Sequence, residues 1–284
     1  MTSIMSRQIR TAVKVALAED LGTGDVTTQA LFQANVPASG RIIAEEPEGL
    51  VLAGLAVAVE VFAQVDPSLT CSPSFADGDR IPAGAIVLTV AGDGRSMLKG
   101  ERVALNFLQR LSGIATLTAK FCDAVKGFRT RILDTRKTTP GLRALEKWAV
   151  TLGGGSNHRF GLADGILIKD NHLALASGDV ARACRLARER APHGLKIEVE
   201  VQSLEAVQAA LDGSADIILL DNMTVSAIRK AVELIKGRAT VEVSGGVTLS
   251  NVRELAAAGP DLISVGALTH SASAARFSMD IVPR

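Results

Sequence analysis

The chain has 284 residues, 47% of them hydrophobic, enough to bury the core of two domains or of one barrel with an added module. With 31 basic and 30 acidic residues it lacks the broad basic excess that a nucleic-acid or membrane surface needs. Tyrosine is absent and tryptophan occurs once, which also argues against single-stranded nucleic acid bound by base stacking. Its apolar runs are too short to span a bilayer, and its three cysteines are widely separated. We therefore expect a cytoplasmic globular protein with reduced thiols.

Up to about residue 115 the chain mixes helical and strand patterns. Ile9, Val13 and Leu17 recur at helical spacing and predict an amphipathic helix over residues 6–19. Residues 20–28 are rich in Gly, Asp and Thr; we interpret them as a capping turn, and a metal or magnesium phosphate site there stays open. The pattern then predicts, in order, strand 40–46, helix 53–64, strand 69–75, strand 85–90 and a GDG turn at 92–94. Together these elements predict an N-terminal α+β domain, residues 1–115.

A long helix is predicted from about Met97 to Val125. Its apolar face repeats at four, three and four residues, through Ala104, Leu108, Leu111 and Ala115. Polar side chains lie on another face, namely those of Arg102, Asn106, Gln109 and Arg110. Spacing alone favours a polar face that is simply solvated. We expect this helix to join the two halves of the chain.

After residue 128 a new pattern repeats six times: an apolar run, a polar residue at its end, and a helical segment. The runs are 132–135, 165–169, 197–201, 217–221, 241–244 and 262–266, with helical segments near 142–150, 179–190, 203–212, 224–236 and 249–258. Such alternation is typical of parallel β/α units whose strands are buried on both faces. It predicts an α/β fold, an incomplete or six-to-seven-stranded parallel β/α barrel over residues 116–271. The tail, 272–284, is expected to pack on the N-terminal domain.

Polar residues and glycines stand at the ends of these predicted strands, where the active site of a parallel barrel lies. They are Arg136, Lys137, Lys169, Glu200, Asp221, Ser244, Gly245, Gly246 and Gly266. Arginines and lysines are also concentrated within residues 131–173 of a nearly neutral chain. A local cluster of this kind predicts a pocket for a polyanionic small molecule.

The strand-end residues suit different parts of such a ligand. Planar carboxylates can be held by Arg136, Arg159 and Lys169, with His158, because a guanidinium group binds a carboxylate through two hydrogen bonds. Burying several unpaired cations is costly, and a bound anion would offset that cost. Glu200 and Asp221 suit a magnesium ion that ligand oxygens also hold. Glu198 alternates with Glu200 along the strand, so which of the two faces the site is left open. Small residues in the turns 244–246 and 264–267 let backbone N–H groups approach a phosphate.

Longer motifs extend over nearly the whole chain. They are AEDLGTGDVTT, KGERVALNFLQRLSGIAT, DTRKTTPGLRALEKWAV, GGGSNHRFGLADGILIKDNH, IEVEV, ILLDNM, VEVSGGV and ISVGALTH. In these motifs the chain resembles the quinolinate phosphoribosyltransferase family, the type II phosphoribosyltransferases of NAD synthesis. The resemblance implies transfer of phosphoribosyl from phosphoribosyl pyrophosphate to the ring nitrogen of quinolinate. Loss of the 2-carboxylate then gives nicotinate mononucleotide, CO2 and pyrophosphate.

The resemblance also implies roles for individual residues. The quinolinate pocket is matched by Arg136, His158, Arg159 and Lys169, and the phosphoribosyl pyrophosphate site by Lys137. Thr135 is a further expected substrate-binding residue. Acids around ribose and the cofactor Mg²⁺ are matched by Glu200 and Asp221, and the 5-phosphate cradle by Ser244, Gly245, Gly246, Val265, Gly266 and Ala267. The expected catalytic residues are Lys137, Lys169, Glu200 and Asp221. Arg102 matches an arginine that enters the active site from a neighbouring subunit, which implies a homodimer or larger assembly with shared sites.

Other functions remain compatible with the residue pattern. Lys137 or Lys169 could act as a Schiff-base nucleophile, as in barrel aldolases. A related protein of molybdenum transport operons shares the pattern, as do nicotinate and nicotinamide phosphoribosyltransferases that do not decarboxylate. A catalytically silent binding scaffold is a third class. The full set of cations around TRK, NHR and IKD favours a dicarboxylate acceptor.

Overall fold

A computed structural model of the chain describes residues 3–284. The helices are α1 Ser3–Leu21, α2 Val26–Leu31, α3 Leu55–Val65, α4 Gly94–Ala124, α5 Arg143–Leu152, α6 Asp170–Leu175, α7 Val180–Arg190, α8 Leu204–Asp212, α9 Val225–Ile235, α10 Val252–Ala257 and α11 Ala267–His270. The strands are β1 Pro37–Ala44, β2 Leu50–Val51, β3 Thr70–Pro73, β4 Arg80–Ile81, β5 Ile86–Asp93, β6 Arg131–Leu133, β7 Ile166–Ile168, β8 Ile197–Val201, β9 Ile217–Asp221, β10 Thr240–Ser244, β11 Leu262–Ser264 and β12 Phe277–Pro283.

The chain forms two compact units. The first contains the residues up to Ala119 together with Thr138–Gly154 and Ser271–Arg284, and the second contains Lys120–Lys137 and Gly155–His270. The predicted division into an N-terminal domain, 1–115, and a barrel domain, 116–271, stays a prediction. Within residues 3–284, each helix is either too short or too polar to cross a lipid bilayer.

The first unit has the predicted α+β architecture. Its main sheet is antiparallel with the order β12-β1-β5-β3, so the end of the chain pairs with β1, for example Phe277 with Ala44. Helices α1 and α3 pack together through side chains such as Val13 and Phe62, both fully buried. Burial of these apolar faces is the main force that holds the helices to each other.

Local structure in this unit corrects one prediction and confirms another. The predicted GDG turn is wrong, because β5 continues to Asp93, whose carboxylate accepts bonds from the N–H groups of Val36 (3.2 Å) and Arg95 (3.1 Å). The capping role of residues 20–28 is confirmed by Asp25, which accepts from Thr28 N at 3.0 Å, although α2 already begins at Val26. The two-residue strands β2 and β4 were not predicted.

The polar face of α4 is solvated only in part. Arg102 and Asn106 are exposed, as predicted. The prediction is wrong for Gln109 and Arg110, since Gln109 donates to Phe277 O (3.3 Å) and Arg110 pairs with the fully buried Glu146 (2.8 Å). A buried carboxylate is costly unless it is paired, and Arg110 supplies that pair.

The second unit contains a six-stranded parallel sheet with the order β6-β11-β10-β9-β8-β7. Central strands are buried on both faces, as shown by Ile218 and Leu220 of β9, both at zero exposure. The predicted incomplete β/α barrel is therefore confirmed. Among the described residues β6 and β7 do not pair, and Ser156 instead forms a parallel bridge to Leu133 of β6.

Several predicted strand ends lie one or two residues too far along the chain. Strand β6 ends at Leu133 and β11 at Ser264, because the chain turns immediately afterwards. Lys169, predicted as a strand residue, caps α6 and accepts a bond from Leu173 N at 2.9 Å. Helices α6 and α11 were not predicted, since they are too short to show helical periodicity.

Candidate active site

The parallel sheet brings the carboxyl ends of its strands to one edge. The strand-end residues of the second unit lie there, after β6 (Thr135–Lys137), after β7 (Lys169), within or at the end of β8 (Glu200), β9 (Asp221) and β10 (Ser244), and after β11 (Val265–Ala267). Residues remote in sequence are thus collected because neighbouring strands run in the same direction. Arg102 belongs to the first unit, where it is exposed.

His158 lies at the centre of a buried polar cluster. Its Nε2 is 3.2 Å from Glu198 Oε2 and 3.5 Å from Glu242 Oε1. Its Nδ1 accepts a bond from Arg159 N (2.7 Å), and its own N–H donates to the fully buried Asp134 (2.8 Å). His158 is therefore held on both sides of the ring and at the backbone.

The carboxyl groups of Glu198 and Glu242 share this cluster, and burial changes the pKa of Glu242. Burial raises the pKa of the Glu242 carboxyl to about 7, and the charge of Glu198 adds to the rise, whereas His158 and the Ser264 hydroxyl lower it. The structure shows where the two glutamates of β8 lie. Glu198 is buried in the cluster, and Glu200 is half-buried.

Cations surround the same carboxylates. Burial lowers the pKa of the Arg159 guanidinium and the neighbouring charge of Arg136 lowers it further, while Glu198 raises it. Arg159 donates from Nη1 to Gly165 O at 2.8 Å, and among the described residues its buried Nε has no hydrogen-bond partner. Two like charges close together favour an anion between them.

Lys169 is directly paired with Glu200. Its Nζ donates to Glu200 Oε2 in a short contact, joining the end of β7 to β8. Asp221, at the end of β9, accepts bonds from Gln202 (3.3 Å) and Asn222 (2.8 Å). Both carboxylates are half-buried, so they remain accessible to a ligand at the sheet edge.

The segment after β6 is fixed by contacts within the second unit. Lys137 N donates to Thr135 Oγ1 at 3.0 Å, and Lys137 O accepts from the buried Thr269 Oγ1 at 2.8 Å. A Cβ on Gly266 would lie 3.1 Å from Lys137 Cδ and 3.1 Å from His270 Nε2. The side chain of Lys137 thus passes over a residue that has to be small.

The two predicted phosphate turns differ in their backbone groups. Gly245 and Gly246 have φ values of 88° and 59°, and Asn251 Nδ2 donates to Gly246 O at 2.9 Å. After β11, Val265 is buried and its N–H already donates to Leu133 O at 2.9 Å. Val265 is therefore not available as a backbone donor, which leaves Gly266 and Ala267 in that turn.

Three side chains meet a distance criterion for one metal ion. The ligand atoms of His158, Glu198 and Glu242 all lie within 4.8 Å of one another. The same atoms form the hydrogen bonds of the buried cluster, and the charge of Lys169 acts on Glu242. We therefore interpret the three side chains as a hydrogen-bonded cluster rather than as a metal centre.

Some residues of the site were missed in the sequence. Asp134, Asn222 and Glu242 contact predicted site residues, and Glu242 also contacts Ser264, which was predicted only as part of a phosphate turn. A signal was present for Glu242, since a charged residue within an apolar strand must find a partner. Its partner Ser264 is 22 residues away, so the sequence does not indicate the pair.

Comparisons with known proteins cover the whole described chain. Family models match residues 25–112 as "Quinolinate phosphoribosyl transferase, N-terminal domain" and residues 114–280 as the C-terminal domain. A "probable nicotinate-nucleotide pyrophosphorylase" of the carboxylating type from Bacillus subtilis is 41% identical over 274 residues, covering 96% of this chain and 93% of that protein. A decarboxylating quinolinate phosphoribosyltransferase of Nicotiana tabacum is 41% identical, covering 96% and 82%.

Solved structures agree in fold. The crystal structure of NadC from Streptococcus pyogenes has a TM-score of 0.94 to this chain, 44% identity and full coverage of both chains. That of a nicotinate-nucleotide pyrophosphorylase from Francisella tularensis has a TM-score of 0.92 and 37% identity, covering 97% of this chain and 96% of that one.

Fold, site and relatives define an enzyme of the type II phosphoribosyltransferase class. Within that class the chain belongs to the quinolinate phosphoribosyltransferase family, since the two family models together match nearly all of it.

Proposed function

We propose that this enzyme transfers phosphoribosyl from phosphoribosyl pyrophosphate to the ring nitrogen of quinolinate and releases the 2-carboxylate as CO2. The products are nicotinate mononucleotide, CO2 and pyrophosphate, a step of NAD synthesis. The observation that carries the proposal is the pair Arg136 and Arg159, two guanidinium groups close enough for one to lower the pKa of the other. A dicarboxylate placed there offsets the repulsion and matches guanidinium geometry.

The acceptor is assigned to Arg136, His158, Arg159 and Lys169. The guanidinium groups bind its carboxylates and orient the ring, so that the nitrogen points to C1 of the ribose. Preorganised charges of this kind act in a partly buried site, where they are stronger than in water.

The donor is assigned to the remaining strand ends. Lys137, whose backbone N–H donates to Thr135 Oγ1, binds the pyrophosphate. Backbone groups of Ser244, Gly245 and Gly246 and of Gly266 and Ala267 hold the 5-phosphate, because glycines there allow close approach. Val265 supports that turn through its bond to Leu133 rather than by contacting phosphate.

Glu200 and Asp221 are assigned to Mg²⁺ and ribose. Their carboxylate oxygens, at the ends of adjacent strands, are the donors that Mg²⁺ prefers. Because Lys169 and Gln202 also contact these carboxylates, the ion would be held partly through substrate and water. When bound, Mg²⁺ would neutralise charge on the departing pyrophosphate.

The chain's own side chains complete the chemistry. As the C1–pyrophosphate bond breaks, Glu200 or Asp221 faces positive charge on the ribose, and Lys137 faces negative charge on the leaving group. After the N–C1 bond forms, the electrons of the C2–carboxylate bond remain on C2 beside the cationic ring nitrogen, and C2 then takes a proton. No covalent nucleophile is needed, and the ion pair of Lys169 with Glu200 favours a charged ligand over a Schiff-base lysine.

We further propose a cytoplasmic homodimer, or a larger assembly, in which each active site receives Arg102 from a neighbouring subunit. The exposure of Arg102 leaves it available for such a contact. Cys71, Cys122 and Cys184 are free thiols, which fits a reducing compartment.

The test is direct. Purified protein is incubated with quinolinate, phosphoribosyl pyrophosphate and Mg²⁺, and nicotinate mononucleotide is quantified together with CO2 labelled from the 2-carboxylate. We expect equal amounts of both products, and a folded protein that forms neither would contradict the proposal. Nicotinate in place of quinolinate is the control for a non-decarboxylating transferase, and borohydride trapping of a lysine adduct would support a lyase.

A further inference from the structure

Glu242 is a buried carboxyl of the second unit that contacts other side chains of the site. It lies on β10 with 1% exposure and accepts a short hydrogen bond from Ser264 Oγ on the neighbouring β11. Its Oε1 lies 3.5 Å from His158 Nε2. The carboxyl thus connects a central strand to the segment that carries His158 and Arg159.

The hydrogen bonds of His158 define which ring nitrogen carries the proton. Nδ1 accepts from Arg159 N at 2.7 Å, so it is unprotonated in this arrangement. The proton therefore lies on Nε2, which faces Glu198 and Glu242. The two carboxyls at Nε2, Glu198 at 3.2 Å and Glu242 at 3.5 Å, together select this tautomer, and the tautomer in turn provides the acceptor for the Arg159 backbone.

The groups that act on Glu242 come from several strands and fit this role. Glu198 on β8 faces it across His158, and Ser264 on β11 and the more distant Lys169 after β7 act on it as well. Burial and Glu198 raise the pKa of Glu242 to about 7, so near neutrality the two carboxyls need not both be ionised. The cluster keeps its hydrogen bonds in either form, since a protonated carboxyl still has an acceptor oxygen.

We propose that Glu242 is a positioning residue for acceptor recognition: by fixing His158 through Nε2 it sets the backbone of Arg159, and so directs both side chains at the acceptor's carboxylates. The inference rests on the proposed function, in which His158 and Arg159 bind quinolinate. Glu242 itself does not touch the substrate. Second-layer groups of this kind typically act through the orientation of the residues that bind.

Three variants test the inference. Glu242→Gln keeps an oxygen that accepts from Nε2–H, whereas Glu242→Met keeps the volume and removes the acceptor. Ser264→Ala removes the hydroxyl that holds Glu242 from the other strand. For Glu242→Met we expect the KM for quinolinate to rise by about tenfold or more, the scale seen when a group that orients a binding residue is lost. The KM for phosphoribosyl pyrophosphate should change by less than about threefold, and Glu242→Gln should stay within about threefold of wild type for both substrates.

A second readout does not depend on activity. The chain has four histidines, so the ring nitrogens of His158 can be assigned by ¹⁵N NMR from the resonances lost in His158→Gln. Because Glu198 still lies 3.2 Å from Nε2, we expect the Nε2–H tautomer in the wild type and in both Glu242 variants. The ¹⁵N chemical shift of Nδ1, which accepts from Arg159 N, should match wild type in Glu242→Gln and differ in Glu242→Met. A role of Glu242 in packing alone would leave that shift unchanged.

The outcomes separate this inference from the proposed function. Wild-type protein without transferase activity contradicts the proposed function, and the NMR experiment still tests the link between Glu242 and His158. An active wild type, with unchanged quinolinate KM and an unchanged ¹⁵N shift of His158 Nδ1 in folded Glu242→Met, overturns the inference alone. Should Glu242→Met fail to fold, Ser264→Ala decides: a selective rise of more than about threefold in the quinolinate KM supports the inference, and a smaller change overturns it.

Discussion

Asn222 Oδ1 and the backbone of Gly245 are packed so closely that a Cβ on residue 245 would lie 2.2 Å from that oxygen. Both residues have positive φ, 53° for Asn222 and 88° for Gly245. Asn222 also donates from its backbone N–H to Ser244 O at 2.9 Å and from its side chain to Asp221. The turn proposed to hold the 5-phosphate and the acid proposed to face ribose are therefore parts of one hydrogen-bonded unit.

The substitution Gly245→Ala should disrupt this turn. The added methyl group displaces Asn222, and alanine also resists a positive φ. We expect the KM for phosphoribosyl pyrophosphate to rise by about tenfold or more, on the basis of lost donors of this kind. Steady-state kinetics with the donor varied would measure it.

Gly127→Ala is the matched control, because Gly127 has φ 97° and no atom within 4 Å of an added Cβ. It should cost stability of about 1 kcal/mol from the backbone alone and leave both KM values unchanged. Equal kinetic effects of the two substitutions would refute the role of the turn.

Arg136→Ala removes a charge proposed to bind an acceptor carboxylate. We expect kcat/KM for quinolinate to fall by a factor that corresponds to about 2–4 kcal/mol of lost transition-state stabilisation, the scale for one preorganised donor. Arg131→Ala, which removes an exposed arginine at the start of β6, is the control and should retain full activity. Near-normal turnover of Arg136→Ala would remove this residue from the site.

Mixing two inactive variants tests whether subunits share an active site. Arg102→Ala and Lys169→Ala should each be inactive alone. In mixed dimers one of the two sites regains both residues, so activity should return in part. Subunit exchange is verified by native mass spectrometry with differently tagged chains. If exchanged dimers stay inactive, Arg102 and Lys169 act within one chain.

The raised pKa of Glu242 predicts a pH dependence of stability. Its folded pKa of about 7 lies above the ordinary value of 4.5, so the folded state holds this proton more tightly than the unfolded chain does. The resulting stabilisation is complete below about pH 4.5 and is lost as the pH rises through about 7. Glu242→Gln lacks this proton. The melting temperature of Glu242→Gln minus that of wild type should therefore increase between about pH 4.5 and about pH 7 and stay constant above it. An identical trend in Glu189→Gln, an exposed carboxyl on α7, would contradict the assignment.

Arg110→Ala should destabilise the first unit. It leaves Glu146, at zero side-chain exposure, without its charged partner, and such a loss typically costs about 3–5 kcal/mol. Urea unfolding measures the effect. Arg190→Ala, at an exposed position in the last turn of α7, should stay within about 0.5 kcal/mol of wild type. If Glu146→Gln does not restore part of the stability in the double variant, the buried charge is not the cause.

The architecture of the second unit could be predicted because each parallel strand is buried on both faces and is therefore a continuous apolar run. Strand direction then follows from the alternation with helices, and direction alone collects the ends of the strands at one edge. Strand ends were placed less well, since turns such as the one after Leu133 depend on side-chain contacts like Thr135 with Lys137.

Partners of buried charges could not be predicted from spacing. Glu146 meets Arg110 across 36 residues, and Glu198 meets His158 across 40. Sequence patterns show that a buried acid needs a partner, but the partner is chosen by tertiary packing. The assignments of individual residues to quinolinate, phosphoribosyl pyrophosphate and Mg²⁺ stay predictions until the variants above are measured.

The edge of β6 that pairs with Ser156 rather than with β7 has a consequence for redesigning this scaffold. Ser156 lines that edge, with its N–H bonded to Ile132 O (2.8 Å) and its carbonyl to Asp134 N (3.1 Å), and the chain then leads directly into His158 and Arg159. An engineered extra strand between β6 and β7 would need the same two backbone groups, Ile132 O and Asp134 N, and would displace the segment that begins at Ser156. Gains in rigidity from closure would thus come at the expense of turnover, whereas stabilising changes confined to the outer helices should avoid that conflict.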